Sequence, residues 1–251
     1  MAPVGTHAIL LRAHSYGETS RILRFYTEGY GLLSVMGRGV RGRSGKGALT
    51  LSTFASGELT AYVRAHRELH TMKDFACARL RSRLGQSVLR FAGASAVADL
   101  VVAHADQEPN PEIFGALDGA LDALEEVPEE AVVSACLSGA WGIVRAFGFA
   151  PELDGCTRCG ALLGGEEVGR FDLSAGGILC AGCAEGTDGP RVGPIARGQL
   201  RSLLEGRWGE PVTHARQHLA LLTDFVAFHI VPRPLKSFRF LADVLPAEEG
   251  Q

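Results

Sequence analysis

A chain of 251 residues can bury roughly three quarters of the surface its unfolded form exposes, so it needs no disulfides to fold. With 46% hydrophobic and 21% charged residues it falls outside the disordered class, and no low-complexity tract or internal repeat interrupts it. The formal net charge of −3 hides a split that points to an anionic partner, nucleic acid foremost: residues 1–90 hold fourteen Lys and Arg against five Asp and Glu, and residues 91–251 hold eleven against twenty-three.

The opening MAPVGTHAILLRAHS has no positively charged lead, and its apolar run from Ala8 to Leu11 is too short for a secretory signal, so a cytoplasmic protein is expected. From Thr6 to Phe75 the pattern predicts five short strands: Ala8 to Leu11, Arg21 to Tyr26, Leu32 to Met36, Glu58 to Val63 and Glu68 to Met72. Five such strands suit a small barrel. After Arg79 the period changes. Leu80, Leu84, Val88 and Phe91 recur at helical spacing and continue through Val97 toward Val102, which predicts one long helix. The segment Phe91 to Ala105 is too short, and too interrupted by Gly93 and Asp99, to span a bilayer. Asn110 followed by Pro111 reads as an N-cap and first-turn proline of the next helix, with Ile113, Phe114, Leu117, Leu121 and Leu124 along one face. Glu129 to Phe147, Pro194 to Leu204 and Val212 to His229 read as further helices, and Pro232 and Pro234 stop the last. The expected fold class is α+β, with a barrel over 1–80 and a mainly helical domain over 81–251 that carries an inserted cysteine module at about 150–190.

Cys156 and Cys159, then Cys180 and Cys183, form two Cys-x-x-Cys knuckles twenty residues apart, close to the spacing of a four-cysteine zinc site. Two thiolates of each knuckle can reach one ion, while Gly155, Gly160, Gly176, Gly177 and Gly182 permit tight turns. Four thiolates fill a tetrahedral shell, so the expected Zn2+ is structural and leaves no position for a catalytic water. Degenerate ligands and a redox pair are the alternatives. Cys77 and Cys136 read as small buried residues.

The segment Gly37 to Gly47 places Arg38, Arg41, Arg43 and Lys46 among glycines with no acidic residue, a composition that can track a phosphate backbone or simply be solvated. It is not a Walker A loop, because Val40 stands where the first glycine belongs and Gly47 follows Lys46. A basic small barrel with aromatics is the arrangement by which OB-folds bind single strands, and Tyr16, Tyr26 and Tyr62 are the stacking candidates.

Tyr16, Gly17 and Glu18, then Thr27 and Gly31, then Gly39, Val40 and Arg41 with Ser44, Leu51 and Phe54, resemble the opening of the bacterial RecO recombination mediator family. Phe147 to Leu153 leading into the first knuckle, Gly176 and Gly177 before the second, and Leu235, Lys236 and Ser237 are similar to the same family, so the resemblance spans nearly the whole chain. It implies an N-terminal OB-fold, a helical region with a zinc module, and no active-site residues. It further implies a nucleoid-associated protein that binds single- and double-stranded DNA, anneals complementary strands, and acts with RecR to load RecA onto strands coated by single-strand-binding protein. Arg233, Lys236 and Arg239 are candidates for a second cationic patch, near DNA or near RecR.

Two other readings fit parts of the sequence. A zinc deaminase would use His66, Glu68, Cys156 and Cys159, but Gly155 replaces the expected proline and the second knuckle is left unused. A zinc-ribbon adaptor would bind proteins alone, through the acidic half.

Overall fold

The computed structural model describes residues 2–40, 51–64, 66–209 and 212–246. Five strands, β1 (Val4–Tyr16), β2 (Ser20–Thr27), β3 (Gly31–Gly37), β4 (Ser56–Tyr62) and β5 (Leu69–Arg79), close a barrel in the order β1-β2-β3-β5-β4. β4 returns antiparallel to β1, and β3 pairs in parallel with β5 from Ser34–Leu69 to Met36–Thr71. This is the OB arrangement. Period-two alternation sends Leu10, Leu23, Phe25, Val35, Leu59 and Phe75 into the barrel, while Ile9, Leu11, Tyr26 and Leu32 point outward into a second core shared with the helices. A bulge between Leu10 and Arg12 lets β1 change which face it presents.

Among the described residues six helices follow: α1 (Val88–His104), α2 (Pro111–Glu126), α3 (Val132–Ala146), α4 (Pro194–Leu204), α5 (Ala215–His229) and α6 (Lys236–Val244). The long helix expected from Leu80 instead begins at Val88. Ser82–Gly85 forms a 3-10 turn, and Ser87 caps α1 by accepting from the Arg90 N–H. Leu84 is buried in that turn, whereas Val88 and Phe91, expected on the apolar face, are exposed. Asn110 Oδ1 accepts from the N–H groups of Glu112 and Ile113, as the Asn-Pro pair predicts. α6 goes beyond the sequence expectation: the prolines end one helix, and another starts within a few residues. None of the helices among the described residues is long and apolar enough to cross a membrane.

The barrel and helices are joined through Arg81, whose side chain has no solvent exposure. It donates from Nε to Asp122 Oδ1 at 2.7 Å, from Nη2 to Asp118 Oδ1 at 2.6 Å, and from Nη1 to the Phe54 carbonyl at 2.8 Å. Phe54 itself holds a left-handed φ of 72°, an uncommon conformation for a side chain of that size, with its N–H given to the Leu10 carbonyl. Gly31 is required where the barrel meets the α1–α2 connection, since a Cβ there would lie 2.3 Å from the Glu108 carbonyl oxygen. Cys136 is buried on α3 as expected, and burial pushes its thiol up to about 12, whereas Cys77 is only half-buried.

Candidate metal centre and nucleic-acid interface

Between α3 and α4 the chain forms a small sheet of β6 (Gly169–Asp172), β7 (Gly177–Leu179) and β8 (Arg191–Val192) in the order β7-β6-β8. Phe171 and Ile178 are fully buried and anchor this sheet in the helical core. The knuckles flank it. The Thr157 N–H donates to the Ile178 carbonyl, tying the first knuckle to β7, and the Gly160 N–H closes its turn onto the Cys156 carbonyl at 2.8 Å. In the second knuckle the Cys183 and Ala184 N–H groups both donate to the Cys180 carbonyl at 3.0 Å. Glu167 braces it by accepting from the Ala181 N–H, and the nearly buried Arg197 holds the preceding loop by donating to the Gly164 and Glu167 carbonyls. Of the five glycines singled out, Gly160 and Gly176 take positive φ. Gly177 is needed for close approach, because a Cβ would sit 2.6 Å from the Glu152 carbonyl oxygen; Gly155 and Gly182 have room for a side chain.

The four sulfurs of Cys156, Cys159, Cys180 and Cys183 lie within 4.8 Å of one another, and Cys159 and Cys180 Sγ are 3.9 Å apart. A tetrahedral ion with metal–sulfur bonds of ~2.3 Å requires sulfur–sulfur edges of about 3.8 Å, so the donor set fits a structural metal. Burial raises the Cys156 thiol, but backbone N–H groups at Cys180, Cys159 and Arg158 outweigh it and bring the thiol down to about 6. The Cys183 thiol, hydrogen-bonded to Cys180 and Cys159, is pushed up to about 12. Clustering thus favours one thiolate and penalises further ones until a cation enters. Cys156 is buried and Cys159 exposed, so the site opens to solvent on one side. His66, the ligand a deaminase would need, lies in the turn between β4 and β5 and outside this cluster.

On the barrel, Arg38 is exposed directly after β3, while Arg41, Arg43 and Lys46 lie outside the described residues. Tyr16 is 56% exposed at the end of β1 and Tyr62 is half-buried at the end of β4. Tyr26 is corrected: it is 0% exposed and packs on Phe114 of α2 with centroids 6.4 Å apart, and burial raises its hydroxyl to about 12. Its outward position on β2 faces the helices rather than solvent, so it offers no stacking platform. The sequence reading also left out Arg12, His14, Arg21 and Arg24. Register pairs Arg12 with Arg24, His14 with Ile22 and Tyr16 with Ser20 on the outer face of β1 and β2, while Arg21, paired with Ser15 and Gly37, has the opposite parity and stands level with the end of β3 from which Arg38 follows. The signal was the two-residue spacing of Arg12 and His14, obscured by the bulge. Arg233, Lys236 and Arg239 are all exposed around the start of α6.

Comparison with known proteins agrees across both halves. A model of the recombination protein O N-terminal region matches residues 1–81, and one of its C-terminal region matches residues 85–239. The chain is 35% identical to the DNA repair protein RecO of Anaeromyxobacter sp. (strain K) over 253 residues, 95% of each chain. It is 33% identical to that of Rubrobacter xylanophilus, covering 81% of each, and 30% identical to that of Cutibacterium acnes, covering 93% of this chain and 96% of the relative.

Proposed function

Because the chain belongs to the recombination protein O (RecO) family of DNA repair proteins, we propose that it works as a non-catalytic recombination mediator that binds single- and double-stranded DNA and anneals complementary strands. With RecR it would promote loading of RecA onto strands coated by single-strand-binding protein. The observation that carries this reading is the barrel end where Tyr16 and Arg38 are exposed and half-buried Arg21 pairs with Gly37, directly before the sequence that holds Arg41, Arg43 and Lys46. Cations there neutralise phosphates, and an exposed ring gives an unpaired base a stacking surface. Annealing follows from the same chemistry: a cationic surface screens two backbones and lets base pairing select the partner strand.

In this division of labour residues 1–80 are the nucleic-acid unit and residues 81–251 the scaffold. One Zn2+ held by Cys156, Cys159, Cys180 and Cys183 supplies a structural cross-link, and all four ligand positions are taken by protein. Arg233, Lys236 and Arg239 form a second cationic surface for DNA or RecR. The test is fluorescence anisotropy of labelled single-stranded DNA against salt, wild type beside an Arg38, Arg41, Arg43 and Lys46 quadruple alanine variant. If all four contact phosphate, they contribute roughly fifty-fold to the wild-type loss of affinity between 50 and 200 mM salt, from a slope of ~0.7 per contact, and the variant loses that sensitivity. A flat wild-type profile favours a zinc-ribbon adaptor that binds proteins alone. Leu162 and Ile195, 83% and 73% exposed on and beside the cysteine module, support that second reading.

A further inference from the structure

We infer that Arg24 and Arg12 form a cradle for one phosphate of a nucleic-acid backbone on the outer face of β1 and β2, apart from the basic segment that follows β3. The two residues are direct cross-strand partners. Both project outward, since Leu23 and Phe25 on either side of Arg24 fill the barrel interior. Like charges set opposite each other on a sheet repel, so the pair needs an anion. Arg12 has one in Asp99 of α1, reached by its Nη2 at 2.6 Å. Arg24 has none among the described residues: its Nε is buried and makes no hydrogen bond.

Burial, followed by repulsion from Arg12, lowers the pKa of Arg24, which is the electrostatic counterpart of that missing partner. An arginine fork matches two oxygens of a phosphate better than it matches any neutral group, and an anion arriving at the solvent-facing part of this half-buried side chain relieves the like-charge contact with Arg12. Arg12, Arg24 and Asp99 together carry one net positive charge, and a backbone phosphodiester carries one negative charge. Ser34, the β3 partner of Arg24, stands level with the pair. From Arg12 the strand runs on to His14 and Tyr16, about 13 Å farther along β1, so one DNA strand can touch the cradle and the exposed ring together.

This inference rests on the nucleic-acid reading, and the test separates the two. Full-length wild type, Arg24→Gln and Arg24→Lys are titrated onto labelled single-stranded DNA from 50 to 400 mM salt. Melting temperatures are also compared in chloride and in inorganic phosphate at matched ionic strength. R24Q is expected to shallow the salt slope by about 0.7 and to bind about fivefold more weakly at 0.1 M salt. R24K should keep the slope, having kept the charge, yet bind more weakly than wild type because it lacks the fork. R24Q should melt in chloride no lower than wild type, where a purely structural role predicts a drop. Wild-type binding with an unchanged slope and affinity in R24Q overturns the cradle. If wild type does not bind DNA, the underlying reading fails as well. A phosphate-induced rise in melting temperature in wild type but not in R24Q would then reassign the site to free phosphate, against the proposal.

Discussion

Replacing Arg81 with Met tests how the barrel is joined to the helices. In the native protein the guanidinium is fully enclosed and its donors serve the Asp118 and Asp122 carboxylates, the Phe54 carbonyl and, at 3.3 Å, Ser56 Oγ. Met fills much of the same volume but answers none of these groups. The Phe54 carbonyl loses its side-chain donor, at about 1–3 kcal/mol. Asp118, 33% exposed, loses its bonds to the guanidinium; Asp122, 24% exposed, keeps Arg79 as a partner. Partial solvation of both carboxylates discounts the charge cost, so the sum falls toward the low end of the ~3–5 kcal/mol for removing one partner of a buried pair. Against a whole-domain stability of about 5–15 kcal/mol this is large. Urea unfolding followed by fluorescence of Trp141 and Trp208, both in the second half, beside hydrogen exchange of peptides from β1 to β3, measures it. Wild type should lose both signals together, and R81M should release the barrel peptides first. Adding Asp118→Asn to R81M should recover at least about 1 kcal/mol, since the orphaned charge goes with it. A loss below about 1 kcal/mol in R81M, with both probes still coincident, would refute the assignment of Arg81 as the joint.

Three further outcomes are expected. Metal analysis of the purified chain should give one zinc per molecule; Cys159→Ser or chelation should lower it and raise proteolysis around residues 155–190, while the barrel strands stay protected. Tyr16→Ala should weaken single-strand binding by about 1–3 kcal/mol, whereas Tyr26→Phe, which changes only a hydroxyl inside the interface with α2, should leave anisotropy titrations unchanged. His218 is buried against Gln199 Oε1 at 3.2 Å, and burial, then His214, hold its pKa down at about 4 against an ordinary 6.5. The unfolded chain therefore binds the extra proton first: the stabilising effect is complete above pH 6.5 and is lost as pH falls toward 4, about 3 kcal/mol in all. The difference in urea midpoint between wild type and His218→Gln should vary across that window and level off outside it.

The cysteine site was legible because its signal is local. Two short knuckles and a counted gap specify four donors whatever the rest of the chain does, and the sulfurs do converge. Asn110 with Pro111 was legible for the same reason, a cap being a matter of a few adjacent residues. The five strands were visible in their apolar cores but not at their ends. β5 runs on to Arg79 through Lys73 and Asp74, which are both exposed where an irregularity in the pairing with β4 breaks the alternation, so they carry no apolar pattern. The start of α1 was misplaced because Leu80 and Leu84 keep helical spacing without being helical: Ser87 supplies the cap, and a 3-10 turn fills the gap. Tyr26 could not be oriented from sequence. Its outward parity was readable, but only the docking of α2 decides that outward there means buried. Arg12 was hidden by the bulge, which shifts the alternation of β1 midway, and Arg24, on the regular strand β2, becomes its partner only through the cross-strand register.

The parallel pairing of β3 with β5 also sets a timetable. β1, β2 and β3 follow one another through short turns and can form a meander as soon as they are made, but Ser34 must wait for Leu69, thirty-five residues later, before that edge is covered. At a synthesis rate of about 5–20 residues per second, the growing chain carries an open strand edge for roughly 2–7 s. An uncovered edge is a template for strands of other chains, so a product cut short between β3 and β5 should aggregate. One that extends past Arg81 has closed its barrel and acquired the residue that fastens it to the helices still to come.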